Sequence, residues 1–290
     1  MLYLGPEPVE HAAASVAAAR SQGMRAAFVT NNASRRPAAV AAHLTELGIP
    51  AEAGDVVTSG QAAVRWLAAR LPAGSAVLVL GSDDLLEEVA AGGLAPQRTA
   101  AGAEAVVQGL APSTAWSDLA EAAIAITAGA LWVAGNTDST YPSPRGPLPG
   151  NGALVQALVI ATGKRPVVVG KPEPELHAAS VERVGARRPL VVGDRLDTDI
   201  LGAVRAGADS LLVLTGVTDV ATLLAAPAGS RPTYVSRDLR GLQLQHPAPV
   251  VEGDVARCGA AYASWNGTEA VPGDDSDDAL RAACALAWSR

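Results

Sequence analysis

Three short segments gather side chains able to handle a divalent cation and an anion. Leu190-Val191-Val192-Gly193-Asp194-Arg195-Leu196-Asp197-Thr198-Asp199-Ile200 sets three carboxylates within six residues, directly after an apolar run. Carboxylate oxygens at a strand tip suit a hard, octahedral Mg2+, with water and a phosphate oxygen completing its shell. The bland alternative is an acidic helix start, which the helix dipole favours, although one or two acids would serve that purpose. Val169-Gly170-Lys171-Pro172-Glu173-Pro174 places one of the two lysines of the chain in a turn stiffened by prolines. A compact ammonium there could neutralise a phosphate oxygen or hold a carboxylate ionised, and a solvated surface lysine is the competing reading. Phe28-Val29-Thr30-Asn31-Asn32-Ala33-Ser34 offers a hydroxyl, side-chain amides and backbone N–H groups before a helix. Such a junction suits an anion, and equally an ordinary capping turn.

These segments can act together if each stands at the carboxyl end of a strand in an open parallel sheet, where ligands bind. The apolar rhythm supplies the strands: Arg25–Thr30, Ala76–Leu80, Ala105–Gln108, Leu131–Ala134, Pro166–Val169, Leu190–Val192 and Ser210–Leu214. Helices are predicted between them at Val9–Gln22, Pro37–Leu47, Asp83–Ala91, Ser117–Thr127, Pro174–Val184 and Thr198–Ala206. Continuously apolar strands separated by helices mean an α/β fold whose mostly parallel sheet is covered on both faces. Asn136 to Gly152 reads as a loop dense in proline and glycine, too long for a simple connection and therefore a functional candidate. After about residue 245 polar and acidic text replaces the rhythm, followed by one helix, Asp277–Trp288, so a separate carboxy-terminal appendage is expected.

The 290 residues suffice for one large domain or two ordinary ones. A formal net charge of −7 argues against nucleic acid or an anionic membrane as partner. Cys258 and Cys284 lack zinc-site spacing and read as reduced thiols of a cytosolic protein. No signal peptide is evident, and the most apolar stretch, Ala122–Ala134, falls short of the ~20 residues that span a bilayer. A soluble, cytoplasmic protein is expected. His11, His43, His177 and His246 share no spacing and receive no role.

In their order along the chain, Thr30-Asn31-Asn32, Gly170-Lys171-Pro172 and Gly193-Asp194-Arg195-Leu196-Asp197-Thr198-Asp199 resemble motifs two, three and four of the haloacid dehalogenase (HAD) phosphatases, subclass IIA. The resemblance covers about residues 2–245. It implies a Rossmann-like HAD core with a parallel sheet, an inserted α/β (C2-type) cap and a small C-terminal extension. Residues 1–59 and 166–246 would form the core, 60–165 the cap and 247–290 the extension. It further implies a phosphatase with Mg2+ as cofactor and a small phosphate ester as substrate, glycerol 3-phosphate ahead of 2-phosphoglycolate. Thr30 and Asn31 would bind the transferring phosphoryl group, with Asn32 nearby, and Lys171 would stabilise its charge and orient the nucleophile. Asp194 would be a direct metal ligand and Asp199 a supporting acid. The Gly135–Gly152 segment is similar to the substrate-facing part of that cap, with Asn136, Asp138 and Arg145 as contacts beyond the phosphate. A surface loop would explain any one of those three as well. Pairing through caps in such proteins makes a homodimer possible. The segment after about residue 247 is similar to an extension of some bacterial members and is expected to be solvated and structural. Its acidic run Asp274-Asp275-Ser276-Asp277-Asp278 lacks the ligand spacing and glycine of a calcium loop.

The first motif of that family, Asp-x-Asp-Gly-[Val/Thr], carries the carboxylate that attacks phosphorus to form an aspartyl-phosphate and the acid that protonates the leaving oxygen. Leu2-Tyr3-Leu4-Gly5 is similar to the residues that come directly after this motif in the family. The resemblance therefore implies that the motif lies immediately upstream of Met1, with Met1 in the place of the valine and a GTG codon read as a start. The 290-residue form should then turn over little. The rival reading is a non-catalytic protein of the same fold that binds phosphate ligands. The upstream reading frame is expected to encode an apolar strand ending in Asp-x-Asp-Gly; DNA sequence without such codons refutes the start-site reading, as does normal Mg2+-dependent phosphate release by the 290-residue form.

Overall fold

Runs such as Ala76-Val-Leu-Val-Leu80 and Ala105-Val-Val-Gln108 have no polar face, so a strand made of them must be covered on both sides. The computed structural model, which describes residues 1–4, 7–141 and 145–290, shows how this is achieved. The chain divides into two units, one of Ala27–Glu46 with Pro50–Gly185, the other of Met1–Ala26, Leu47–Ile49 and Ala186–Arg290.

The first of these holds a five-stranded, all-parallel sheet in the order Val167–Val168, Leu131–Ala134, Ala105–Gln108, Ala76–Leu80, Ala95–Gln97. Successive side chains leave opposite faces. Val77, Val79, Val107 and Val133 pack with Ala63, Leu67, Val89 and Leu176 of the helices Ser59–Ala68, Asp83–Ala91 and Pro174–Val184. Leu78, Leu80, Val106 and Trp132 pack with Ile126, Val155 and Leu158 of the helices Trp116–Ala128 and Asn151–Thr162. A parallel ribbon of Phe28–Thr30 with Val56–Thr58 belongs to the same unit. The segment read as a long loop contains a short hairpin, Thr140–Tyr141 with Leu148–Pro149, and the start of the Asn151–Thr162 helix.

The second unit is built on a parallel sheet of Leu190–Gly193, Asp209–Val213 and Tyr234–Ser236. Its carboxy-terminal part forms an antiparallel meander of Val250–Glu252, Val255–Cys258, Ala261–Trp265 and Ala270–Pro272. The helix Asp277–Trp288 is buried on two sides. Leu280 and Cys284 share a cluster with Ile200, Leu212 and Val235, while Ala282, Ala283 and Leu286 meet Ala256, Cys258 and Ala263 of the meander. Asp277 accepts hydrogen bonds from Ser236 Oγ (2.5 Å) and Arg237 N (3.1 Å), and Arg281 Nε donates to Val235 O (3.0 Å). The last helix thus packs over the parallel sheet as well as on the meander. The alanines on both surfaces, which read as featureless in sequence, let helix and meander approach closely.

No helix among the described residues is long and apolar enough to cross a membrane. Cys258 and Cys284 are free and buried. Burial pushes the Cys284 thiol up to about 12. Burial, reinforced by the neighbouring Asp278 carboxylate, raises Cys258 as well. Because the thiolate is the reactive form, neither cysteine should react with a thiol-specific disulfide reagent at pH 8 in the native protein. Both should react once denaturant unfolds it. Rapid labelling of either thiol in the folded state would contradict this packing.

Candidate functional site

In the Ala27–Gly185 unit the organising residue is Asn31, which follows the Phe28–Thr30 strand. Its carboxamide is fully engaged by the backbone of Lys171: Nδ2 donates to Lys171 O (3.0 Å) and Lys171 N donates to Oδ1 (2.7 Å). The Asn31 carbonyl accepts from Ser59 Oγ and from Asn136 Nδ2, both at 2.6 Å. Thr30 Oγ1 accepts from Asn32 N (3.1 Å), and Asn32 Oδ1 accepts from Ser34 N and Oγ, both 2.7 Å. The loop is thus an Asx-type turn whose position is tied to the Lys171 turn. Lys171 Nζ stands 3.4 Å from Val29 O, which keeps the ammonium beside the strand that delivers Thr30. Close approach of backbones makes this possible. A Cβ on Gly170 would lie 2.1 Å from Gly135 O and 2.7 Å from Asn31 Oδ1.

The sequence-predicted contacts beyond the phosphate separate here. Asn136 is buried rather than presented, with Nδ2 given to Asn31 O and Oδ1 accepting from Asp138 N (3.1 Å). Asn151 Nδ2 donates to Asn136 O (2.7 Å), closing the base of the hairpin. Asp138 is half-buried and Arg145 exposed on that hairpin segment. Ser59 and Asn151 were not singled out as site residues from the sequence. The signal for Ser59 was present, since Thr58 and Gln61 form a capping box that marks a further strand-to-helix junction.

In the other unit Asp194 follows the Leu190–Gly193 strand. Asp194 Oδ2 accepts from Val217 N (3.0 Å), Asp194 O from Thr218 N (3.1 Å), and the Met1 ammonium lies 3.5 Å from Oδ1. Leu196–Ile200 forms a π-helical turn, with Ile200 N and Asp199 N both donating to Arg195 O at 3.1 Å. The α-helix starts only at Leu201, whereas Thr198 was the predicted start. The wide turn carries the buried Asp199 back beneath the strand end, where Oδ2 accepts from Asp194 N (3.2 Å) and Arg195 N (3.1 Å). Its carboxyl fills the space where a Gly193 side chain would be. Asp197 is turned outward in a bidentate pair with Arg195 (3.0 and 2.7 Å). Of the three carboxylates, then, Asp197 is used by its neighbour, Asp199 orients the Asp194 backbone, and Asp194 accepts from the Val217 backbone.

Among the described residues no group of three or more His, Cys, Asp or Glu side chains is arranged to hold a metal ion. Mg2+ does not require one: one or two carboxylates with water and substrate phosphate commonly suffice. The hard carboxylate oxygens of Asp194, half-buried at a strand end, fit that ion. The Thr30–Ser34 turn with Lys171 fits an anion, through a hydroxyl, backbone donors and an ammonium.

A sequence profile of the haloacid dehalogenase-like hydrolases matches residues 1–95, and one described as HAD-hydrolase-like matches residues 168–242. The chain is 53% identical over 242 residues to D-glycerol 3-phosphate phosphatase of Mycobacterium tuberculosis, covering 83% of this chain and 68% of that protein. It is 34% identical over 240 residues to an acid sugar phosphatase of Staphylococcus saprophyticus, covering 82% and 91%. A crystal structure of a glycerol phosphate phosphatase from M. tuberculosis in complex with magnesium superposes with a TM-score of 0.87 at 45% identity, covering 100% of this chain and 88% of the other.

The contact at Gly170 makes a stability prediction. Gly170→Ala should destabilise the Ala27–Gly185 unit by at least about 1–3 kcal/mol, because the obstruction is backbone and cannot rotate away. Gly54→Ala, whose methyl would meet nothing within 4 Å, should stay within about 0.5 kcal/mol of wild type. Denaturant unfolding of both variants measures the difference; equal midpoints would disprove the close approach.

Proposed function

The chain belongs to the haloacid dehalogenase-like hydrolases, and on that footing we propose that it is a Mg2+-dependent phosphomonoesterase acting on a small polar phosphate ester, with glycerol 3-phosphate the first substrate to test. The observation that carries this reading is the two-point clamp between the Asn31 carboxamide and the Lys171 backbone. It holds the ammonium of Lys171 at the end of the strand that delivers Thr30. Phosphoryl transfer depends mainly on positioning and charge neutralisation, and a pre-set ammonium beside a hydroxyl and a turn of backbone donors supplies both.

In this reading Thr30 and Asn32 bind the phosphoryl oxygens, and Lys171 balances their charge. Asn31 acts through its carboxamide as the brace of the Lys171 turn. Asp194 holds Mg2+, and Asp199 fixes Asp194 by accepting its backbone N–H. When bound, Mg2+ would supply charge neutralisation of the kind phosphoryl transfer requires. Asp138 and Arg145, on the hairpin segment, are assigned to the alcohol portion of the ester. The preference for glycerol 3-phosphate rests on the likeness to the mycobacterial enzyme of that name. The attacking carboxylate implied by the family is not in any of these segments, so the assay includes the chain extended through its upstream reading frame.

Phosphate release from glycerol 3-phosphate, 2-phosphoglycolate and p-nitrophenyl phosphate is the test. Release by the extended chain should require Mg2+ and stop with EDTA. Lys171→Ala and Asp194→Asn should each lower kcat by on the order of 100-fold or more, the scale of removing one charge-stabilising group. Hydrolysis indifferent to EDTA, or no release from any small ester, would sink the reading.

A further inference from the structure

Three asparagines and a serine form a continuous hydrogen-bonded path between the hairpin base and the Lys171 turn, all within the Ala27–Gly185 unit. Asn151 Nδ2 donates to Asn136 O (2.7 Å). Asn136 Nδ2 donates to Asn31 O (2.6 Å), where Ser59 Oγ also donates (2.6 Å). Asn31 then grips Lys171 through both carboxamide atoms. Asn136 is 5% exposed, Asn151 1% and Ser59 0%. Asn136 has its amide donor and its amide acceptor engaged within the protein. Asn136 spends one N–H and one lone pair of its amide on protein partners and is buried, so it is not presented to a ligand.

We infer that Asn136 is a positioning residue that, with Ser59 and Asn151, holds the Asn31 carbonyl and through it the Lys171 turn. The path is the physical connection by which the hairpin segment sets the placement of the phosphate-binding ammonium. Two donors on one carbonyl fix the Asn31 peptide from two directions, and rotation of that peptide would pull its side chain off Lys171. This inference rests on the phosphatase reading for its kinetic consequences, though its structural content does not.

The path predicts a pattern that a substrate contact would not give. Asn136→Ala should lower kcat on glycerol 3-phosphate, 2-phosphoglycolate and p-nitrophenyl phosphate by the same factor, roughly 10- to 100-fold, as a small misplacement of a catalytic group does. A residue touching the alcohol would instead penalise glycerol 3-phosphate far more than p-nitrophenyl phosphate, which carries no polyol. Asn136→Asp, which cannot donate to Asn31 O, should fail to restore activity. In a Lys171→Ala background Asn136→Ala should have little further effect, since residues acting through one group are non-additive; full additivity would indicate a general structural defect. Ser59→Ala and Asn151→Ala carry the same test if Asn136→Ala does not fold.

A readout independent of turnover is hydrogen exchange at the Lys171 amide, which donates to Asn31 Oδ1. Asn136→Ala should speed it well above wild type. Unchanged exchange, or selective loss on glycerol 3-phosphate alone, overturns the inference. Absence of any ester hydrolysis by the extended chain, with Lys171 exchange still accelerated in Asn136→Ala, would instead reject the phosphatase reading and leave the path intact.

Discussion

Two hydrogen bonds between the Asn31 carboxamide and the Lys171 backbone join positions 140 residues apart, and the candidate anion site depends on them. A carboxamide matches a peptide's N–H and C=O as another peptide would, so this pair continues strand-like pairing where the strands themselves have ended. The surroundings leave no substitute. Leaving a buried donor or acceptor unmet costs about 1–3 kcal/mol, and Asn31 meets four such groups at once, counting the two donors on its own carbonyl. The glycine at 170 is the steric condition for this arrangement, because a Cβ there would lie 2.1 Å from the backbone oxygen of Gly135.

The acidic segment is solved differently. At the end of the Leu190–Gly193 strand a π-helical turn, rather than an ordinary helix start, returns Asp199 beneath its own segment. One buried carboxylate oxygen then accepts two successive N–H groups, which orders the backbone bearing Asp194. The local cluster of acids is therefore a division of labour among carboxylates with different partners. Wide turns of this kind recur at functional sites because they aim a side chain that regular helical geometry would send elsewhere. The unit that carries it is stabilised by the carboxy-terminal helix, whose Leu280 and Cys284 complete the cluster around Ile200 and Leu212.

Much of this was legible in the amino-acid sequence. Unbroken apolar runs at 76–80, 105–108 and 131–134 announced buried parallel strands, since neither face could meet water. The placement of Thr30, Lys171 and Asp194 at or just beyond strand ends was visible from the apolar runs before them, and the HAD resemblance came from their order. A net negative charge spoke against a nucleic-acid partner before any fold was known.

Tertiary structure decided what each polar residue does. Asn136 looks like a ligand contact in sequence, yet it is buried with its amide bonded to Asn31 O and Asp138 N, and the Asn31 carboxamide is bonded to the Lys171 backbone. Three acids within six residues look equivalent, yet Asp197 pairs with Arg195, Asp199 accepts from two backbone N–H groups and Asp194 accepts from Val217 N. The meander after residue 250 was hidden because its inward positions are mostly alanine, too weak a hydrophobic signal to mark a strand. Residue type and spacing determine which groups arrive at a strand end, because local propensity and apolar periodicity are written along the chain. Which of those groups stay available is set by partners distant in sequence, because a hydrogen-bonding atom already satisfied by a neighbour can no longer serve a ligand.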